Sequence, residues 1–515
     1  MELRRRLGFW DLIVLGIAGA VGTGVLFSNA GMAALAGPGV IVAWIVGAIF
    51  YFFIGLTYAD LGALYPEAGG PSRYSLYTHG RVTNLVNSFS DLIWYLFIPP
   101  IEALATAEGI NYFYPHLVSG SGGPTTLGAV VGAILLLIFL PFNYYGINLF
   151  RNSTNLLGGV KLVIYLLVAV GFLSLGHFGN LNLHGVGFMP FGIGGIFAAI
   201  PLAMFAFGGI RVLPDYAEET TEPRTIRKSI ITTVIGQTII YVLFAIAFVV
   251  SVRWSAFGIK TGAWASATRL PGNPFLALAG KIHSGWLLIL TVIIAILGPF
   301  VTGYIYQGGG SRVMLAMGRS GVLSQKVRAI SERYRIPGPA LIVFTVVGII
   351  VAYIAAPLPS IYQLISDAVV AGYIGFAVNP VAVMALSRQG HQDRVRSSGV
   401  ISVLAFAAAA LIAFWSGWPS VPYAAAILAV LSLGFGLYYR VGDHFKNAVW
   451  YMVWILFITA MTYVGSVGRL TVIPFGWASV VVAVVSVALF LPWGVASRLE
   501  QVSRAPQEEA QPAAG

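Results

Sequence analysis

Between residues 9 and 495 the chain is a near-unbroken succession of apolar stretches joined by short polar loops. Roughly twenty such residues cross the hydrocarbon core as one helix, and a helix satisfies its own backbone groups in lipid. The expected fold class is therefore an all-α polytopic membrane protein. About fourteen spans are expected, at roughly 9–36, 39–64, 83–113, 125–148, 154–176, 190–221, 226–252, 282–318, 339–356, 360–387, 398–416, 420–439, 447–465 and 472–495. Only 9% of residues are charged, against about 25% in a soluble domain. The stretches are too numerous for a signal peptide with a single anchor.

A net charge of +11 could suggest nucleic acid, but its distribution argues otherwise. With the N-terminus inside, Arg253, Lys260, Arg269, Lys281 and Arg469 fall outside. Lys161 and Arg211 fall within spans, and the remaining 22 of 29 basic residues fall inside. This positive-inside asymmetry predicts a multi-pass protein of the cytoplasmic membrane with both termini cytoplasmic. The absence of cysteine excludes disulfides and thiolate metal sites. No His/Asp/Glu cluster has metal-ligand spacing, so neither metal nor cofactor is expected, and no obligatory protein partner is implied. The tail from residue 498 to 515, rich in Ala, Pro, Gln and Glu, is expected to be disordered.

Two spans are interrupted. The first contains Gly16-Ile-Ala-Gly-Ala-Val-Gly-Thr-Gly-Val-Leu-Phe, which predicts a break near Gly22-Thr23-Gly24. Broken backbone at membrane depth is tolerated where it lines a cavity, and the N–H groups at a half-helix start can hold a carboxylate. The competing reading is a glycine-lined packing face. The sixth span holds Pro201, Gly208-Gly209 and Pro214, predicting a break around 207–211. Interrupted spans at matching places in two halves point to an inverted-repeat transporter. The expected units are a first five-helix repeat (1–180), a second (181–390), and four additional helices (391–497).

Three deep charges need company in lipid. Lys161 is either a snorkelling side chain or a buried ammonium. Glu102, in a third span that Pro99-Pro100 should kink, is a protonatable group beside the path or an ion-pair partner. Arg211 either takes an anionic substrate side chain bidentately or pairs with Glu102, Asp215 or Asp367.

These stretches resemble the amino acid–polyamine–organocation (APC) superfamily of amino acid permeases. Gly19-Ala-Val-Gly-Thr-Gly-Val-Leu-Phe is similar to its first-span signature. Trp44, Tyr58-Ala-Asp-Leu and Pro66-Glu-Ala-Gly-Gly-Pro-Ser-Arg-Tyr are similar to its second span and following loop. Phe205-Ala-Phe-Gly-Gly-Ile with Glu218-Glu and Glu222-Pro-Arg resembles its sixth span. Ser311-Arg-Val-Met-Leu-Ala-Met-Gly-Arg-Ser-Gly-Val-Leu resembles the end of its eighth. The resemblance covers roughly residues 8–390 and implies a LeuT-like five-plus-five inverted repeat with spans 1 and 6 broken.

It also implies a site. The substrate α-carboxylate would rest on the amides of Gly22, Thr23 and Gly24, beside Ala20. The α-ammonium would meet carbonyls near Phe205, Ala206 and Gly208, with Phe205 as an aromatic gate and Phe207 and Arg211 nearby. Phe205 and Phe207 also suit plain packing. Lys161 matches a fifth-span lysine that stands in for a coupling sodium ion between spans one, five and eight. Glu102 and Asp367 are accessory candidates. The implied activity is alternating-access transport of amino acids, proton-coupled or exchanging and sodium-independent. The alternatives are a permease for polyamines or other organic amines, and a non-transporting nutrient sensor. An enzyme is not expected, because no deep nucleophile has a base near it. Arg211 departs from the Glu or Asp often found there, which speaks against a cationic substrate.

Overall fold

The computed structural model describes residues 2–120, 122–355, 370–391 and 395–500. Asp367 and the tail beyond residue 500 lie outside the described residues. Among the described residues the regular structure is helical, with only isolated bridges such as Leu7 to Thr220.

The first apolar stretch is two helices, α1 (Phe9–Ala20) and α2 (Thr23–Ala36). Val21 and Gly22 leave helical geometry between them. The break is thus slightly earlier than the glycine pattern suggested, and Thr23 and Gly24 already belong to α2. A turn through Gly37–Gly39 leads into α3 (Val40–Leu64). After the short α4 (Tyr74–His79) comes α5 (Arg81–Ile110), which remains assigned as one helix through Pro99 and Pro100. Then follow α6 (Thr126–Tyr144), α7 (Ile147–Ser153) and α8 (Gly159–Ser174), the last two joined by a π-helical turn.

The sixth stretch is again two helices, α9 (Gly192–Ala206) and α10 (Gly209–Asp215), interrupted at Phe207 and Gly208. Pro201 and Pro214 are accommodated inside these helices, so the Gly pair and not the prolines sets the break. Next are α11 (Thr225–Ser251), α12 (Pro274–Ile282), α13 (Gly285–Arg319) and α14 (Gly338–Ala355). Later helices include Val378–Leu386, Val400–Trp415, Ser420–Tyr438 and Phe445–Val464.

Among the described residues ten helical segments are long and apolar enough to cross a membrane by length and composition. Phe9–Ala20, Gly338–Ile354 and Val400–Trp415 are shorter apolar helices. At 30 residues α5 is long enough to span, but it carries Asp91, Glu102 and Glu108. Large apolar side chains such as Leu137, Val163 and Val170 point outward from α6 and α8, as a lipid-facing surface requires. The chain is a multi-pass membrane protein.

The interior positions the interrupted helices against each other. α1 packs on α10 and α2 on α9, with α11 and α3 behind them. The long pair α5 and α13 runs alongside. Gly24 is one point of close approach: a Cβ there would stand 2.8 Å from the Cα of Ala206. Any larger residue would push α2 away from α9.

Candidate functional site

The site begins at the first amide of α2. A helix start leaves backbone N–H groups without intrahelical partners, and a negative charge there is stabilised by the helix dipole. Thr23 donates its N–H to both carboxylate oxygens of Glu102, at 3.3 and 3.2 Å. Glu102 reaches from α5 and is 2% exposed. Gly22 makes this contact possible. A Cβ there would lie 2.9 Å from each Glu102 oxygen and 2.5 Å from the Thr302 hydroxyl. The place that the sequence assigned to a substrate carboxylate therefore holds an internal carboxylate.

Lys161 lies beside it, on α8, fully buried. Its Nζ donates to the carbonyls of Ala18 and Gly298, each at 2.7 Å, and to Thr302 Oγ1 at 2.8 Å. An ammonium has three protons to donate, and all three are used. Ala18 belongs to the last turn of α1, where carbonyls are freed by the break, and the other acceptors belong to α13. Lys161 thus stands between α1, α8 and α13 and does not snorkel. Thr302 also donates to the Ala18 carbonyl at 3.2 Å, so Lys161, Thr302, Gly22 and Glu102 form one polar run.

The second break faces α2. Among the carbonyls considered for an ammonium, Ala206 accepts the Tyr241 hydroxyl at 2.5 Å, and Phe205 accepts the Gly208 N–H at 3.2 Å. The Phe205 ring lies 6.0 Å from that of Trp94, centroid to centroid. Phe207 packs against Trp44, Tyr51 and Tyr241. A Cβ on Gly208 would meet the Tyr306 hydroxyl at 2.5 Å and Trp94 at 2.8 Å. Ala20 contacts this face as well, since a Cβ on Gly209 would stand 2.6 Å from its methyl group.

Arg211 is fully buried, and among the described residues it pairs with neither Glu102 nor Asp215 but with Asp91. Nη1 donates to Asp91 Oδ1 at 2.9 Å, and Nη2 donates to the carbonyl of Gly372. The guanidinium lies between the rings of Trp94 and Phe376, 4.8 and 4.1 Å from their centroids. One turn on, Asp215 accepts the hydroxyl of Tyr95. Asp91 and Tyr95 are likewise one turn apart, so α10 is clasped to α5 by two adjacent contacts.

The loop motifs converge on the end of the bundle where α10 finishes. Arg312 is bidentate to Glu219 at 2.5 and 2.8 Å, and Arg319 pairs with Glu218 at 2.5 Å. Glu218 also accepts the Ala68 N–H at 3.1 Å, and Glu67 pairs with Arg73. The sixth-span, eighth-span and second-loop motifs are therefore three sides of one ion-paired layer.

Sequence reasoning missed Thr302, Gly298 and Asp91. Gly298 and Thr302 are one turn apart on α13, a small and polar pair aimed inward. Asp91 belongs to a polar stripe, Asn84, Asn87, Ser88, Asp91, at helical spacing; that stripe was the available signal. Among the described residues no group of three or more His, Cys, Asp or Glu could hold a metal ion.

Two interrupted helices meeting beside an anion-holding amide and a buried ammonium define a helical membrane transporter of the broken-helix class. The profile of the amino acid permease family matches residues 7–399, and the chain belongs to that family, within the APC superfamily. It is 28% identical to the glutamate/serine transporter AimA of Bacillus subtilis over 96% of this chain and 94% of the relative. It is 29% identical to the aspartate-proton symporter of the same organism, over 95% and 96%. The branched-chain amino acid permease BcaP is 25% identical over 73% of this chain and 80% of its own length. The family and these relatives are transporters, not enzymes.

Proposed function

We propose that this permease is a secondary active, proton-coupled and sodium-independent amino acid transporter. It would reside in the cytoplasmic membrane with both termini inside and work by alternating access between two five-helix halves divided near residue 180. Residues 391–497 flank those halves. The observation that carries the reading is the Lys161 ammonium, fully used by three acceptors and set beside Glu102 on the first amide of α2. A fixed ammonium between α1, α8 and α13 replaces a coupling metal ion.

In this reading the substrate α-carboxylate takes the α2 amides at Gly22, Thr23 and Gly24 when Glu102 leaves them. Glu102 leaves most readily once it has accepted a proton, so one proton enters with the substrate. The negative charge near Lys161 is then exchanged one for one. The carbonyls around Phe205, Ala206 and Gly208 receive the substrate ammonium on their remaining lone pairs.

Arg211 serves the scaffold. Asp91 lies eleven residues before Glu102 on the same face of α5, about 16 Å along its axis at 1.5 Å per residue. No single amino acid reaches from the α2 amides to a guanidinium held there. The relatives' names make serine, glutamate and aspartate the first substrates to try.

The test is uptake of these three radiolabelled amino acids, and of a polyamine, into proteoliposomes in sodium-free buffer, with and without an inward proton gradient. Accumulation driven by external acid is expected. Uptake only into liposomes preloaded with amino acid would replace coupling by exchange. Uptake of the polyamine alone would overturn the substrate class.

A further inference from the structure

We propose a second amino-acid-binding site, distinct from the central one, in the cavity at the end of α5 farthest from Arg81. It would take the ammonium of a zwitterionic amino acid on Glu108 and its carboxylate on Arg269. This rests on the reading that the chain transports amino acids.

The cavity measures about 670 Å³, within the roughly 300–1,000 Å³ usual for small-molecule sites. Its walls are the end of α5, the loops around Ser119 and Arg269, and α12, and Phe27 of α2 also lines it. Phe27 lies four residues beyond Thr23, about 6 Å of helix rise. The cavity therefore leads toward the central site.

Glu108 is 6% exposed. The Asn273 backbone N–H donates to its carboxylate, while Oε1 has no hydrogen-bond partner among the described residues. Gly272 lies over this free oxygen. A Cβ there would stand 2.8 Å from Oε1, and the backbone at Gly272 has φ +58, a conformation glycine adopts readily. Only a glycine leaves room for Oε1 at that point. A buried carboxylate without a counter-charge is strongly unfavourable, and a buried polar atom without a partner calls for an occupant.

Arg269 lines the same cavity, is exposed, and forms no ion pair among the described residues. A carboxylate and a guanidinium that share a cavity without pairing match the two ends of a zwitterion. A lone metal ion would leave Arg269 opposed to it, and a simple anion would face Glu108.

The chain contains no cysteine, so Thr268→Cys, on the cavity wall, places a single reporter thiol. Its modification by a membrane-impermeant methanethiosulfonate is followed with increasing serine, in the same proteoliposomes used for serine uptake. Serine should slow modification, whereas hydroxypropanoate, which is serine without its ammonium, and serinamide, which lacks the carboxylate, should do so far less.

Glu108→Gln and Arg269→Gln should each raise the half-protecting serine concentration about tenfold, the scale of one lost charge-assisted contact. Arg269 is on an exposed loop, so its variant reports even if Glu108→Gln folds poorly. Protection unchanged in both variants overturns the site. So does serine uptake with no protection at all. Protection by serine without uptake of any amino acid would leave the site standing and overturn the transport reading.

Discussion

Replacing Glu102 by Gln should tighten substrate binding, which is the reverse of what removing a binding residue does. In the structure Thr23 donates to a carboxylate at 3.3 and 3.2 Å. A hydrogen bond to a charged group contributes about 1.5–3 kcal/mol, and a neutral one about 0.5–1.5 kcal/mol. Glutamine keeps an acceptor oxygen, so the contact weakens without vanishing, by about 1–2 kcal/mol. The substrate carboxylate competes for the same amide, and its apparent Kd should fall by the same energy, about tenfold. The Lys161 ammonium adds to the effect, because the variant leaves it without a nearby carboxylate until substrate arrives. In the proposed mechanism binding requires Glu102 to take up a proton, so in the unmodified protein affinity should rise as pH falls. In Glu102→Gln that dependence should flatten. The assay is equilibrium binding of radiolabelled serine and glutamate to purified protein across a range of pH. A Kd higher than that of the unmodified protein at every pH would show that Glu102 helps to hold the substrate, and the competition argument would be wrong.

Lys161→Met should abolish accumulation driven by a proton gradient while leaving folded protein, since methionine fills much of the same space; unchanged proton-driven uptake would remove Lys161 from coupling. Arg211→Ala should destabilise by about 3–5 kcal/mol, because it strands Asp91 as an unpaired buried charge. Removing both residues should be milder than removing Arg211 alone, and a changed substrate preference at unchanged melting temperature would return Arg211 to the substrate. His79 ends α4 outside the membrane spans, with its ring nitrogens 2.8 Å from Thr78 Oγ1 and 2.9 Å from the Gly494 carbonyl. Burial pushes its pKa down to about 4, with Arg498 acting in the same direction. The neutral ring is the folded form, so its contribution is complete above the ordinary histidine value near 6.5 and is lost as pH falls from there to about 4, on the order of 3 kcal/mol. Thermal unfolding in detergent should show that slope in the unmodified protein, and His79→Asn should flatten it; an equal slope in both would assign the acid sensitivity elsewhere.

The backbone breaks were legible because glycine pairs and membrane depth leave few alternatives. Their registers were not. Val21 and Gly22 form the first gap and Thr23 is already helical, since a helix resumes wherever its first free amide finds an acceptor, and that acceptor, Glu102, is 79 residues away. Lys161 was identifiable by type and depth, but its acceptors on α13 were not, because carbonyls carry no sequence signal. Arg211 announced a need for a partner without naming it. Asp91 lies near the start of its span, where an exposed acid is ordinary. The loop motifs were read beside the site residues, yet Glu67, Glu218, Glu219, Arg312 and Arg319 instead build the ion-paired layer below it. Arg73 and Arg319 sit at a turn and a helix end, far apart in sequence, that meet only in the folded chain, where Arg73 donates to Ser320.

One helix, α5, holds both interrupted helices. Glu102 takes the start of α2, while Asp91 and Tyr95 take Arg211 and Asp215 of α10. The two holds differ in kind. The Glu102 contact is to one backbone amide, which any carboxylate can replace, whereas the Arg211 contact is a fully buried charge pair flanked by two aromatic rings. A substrate carboxylate bound as proposed would therefore release α2 from α5 without disturbing α10. In the proposed mechanism substrate binding would act first on the half of the site nearer Phe27 and its cavity, and the ion-paired end would stay closed until α10 itself moved. An ordering of this kind would tie entry of substrate to a proton on Glu102 and keep the path from opening at both ends. It also makes the two variants separable: Glu102→Gln should change affinity and its pH dependence at nearly constant stability, and Arg211→Ala should change stability with the pH dependence of binding preserved.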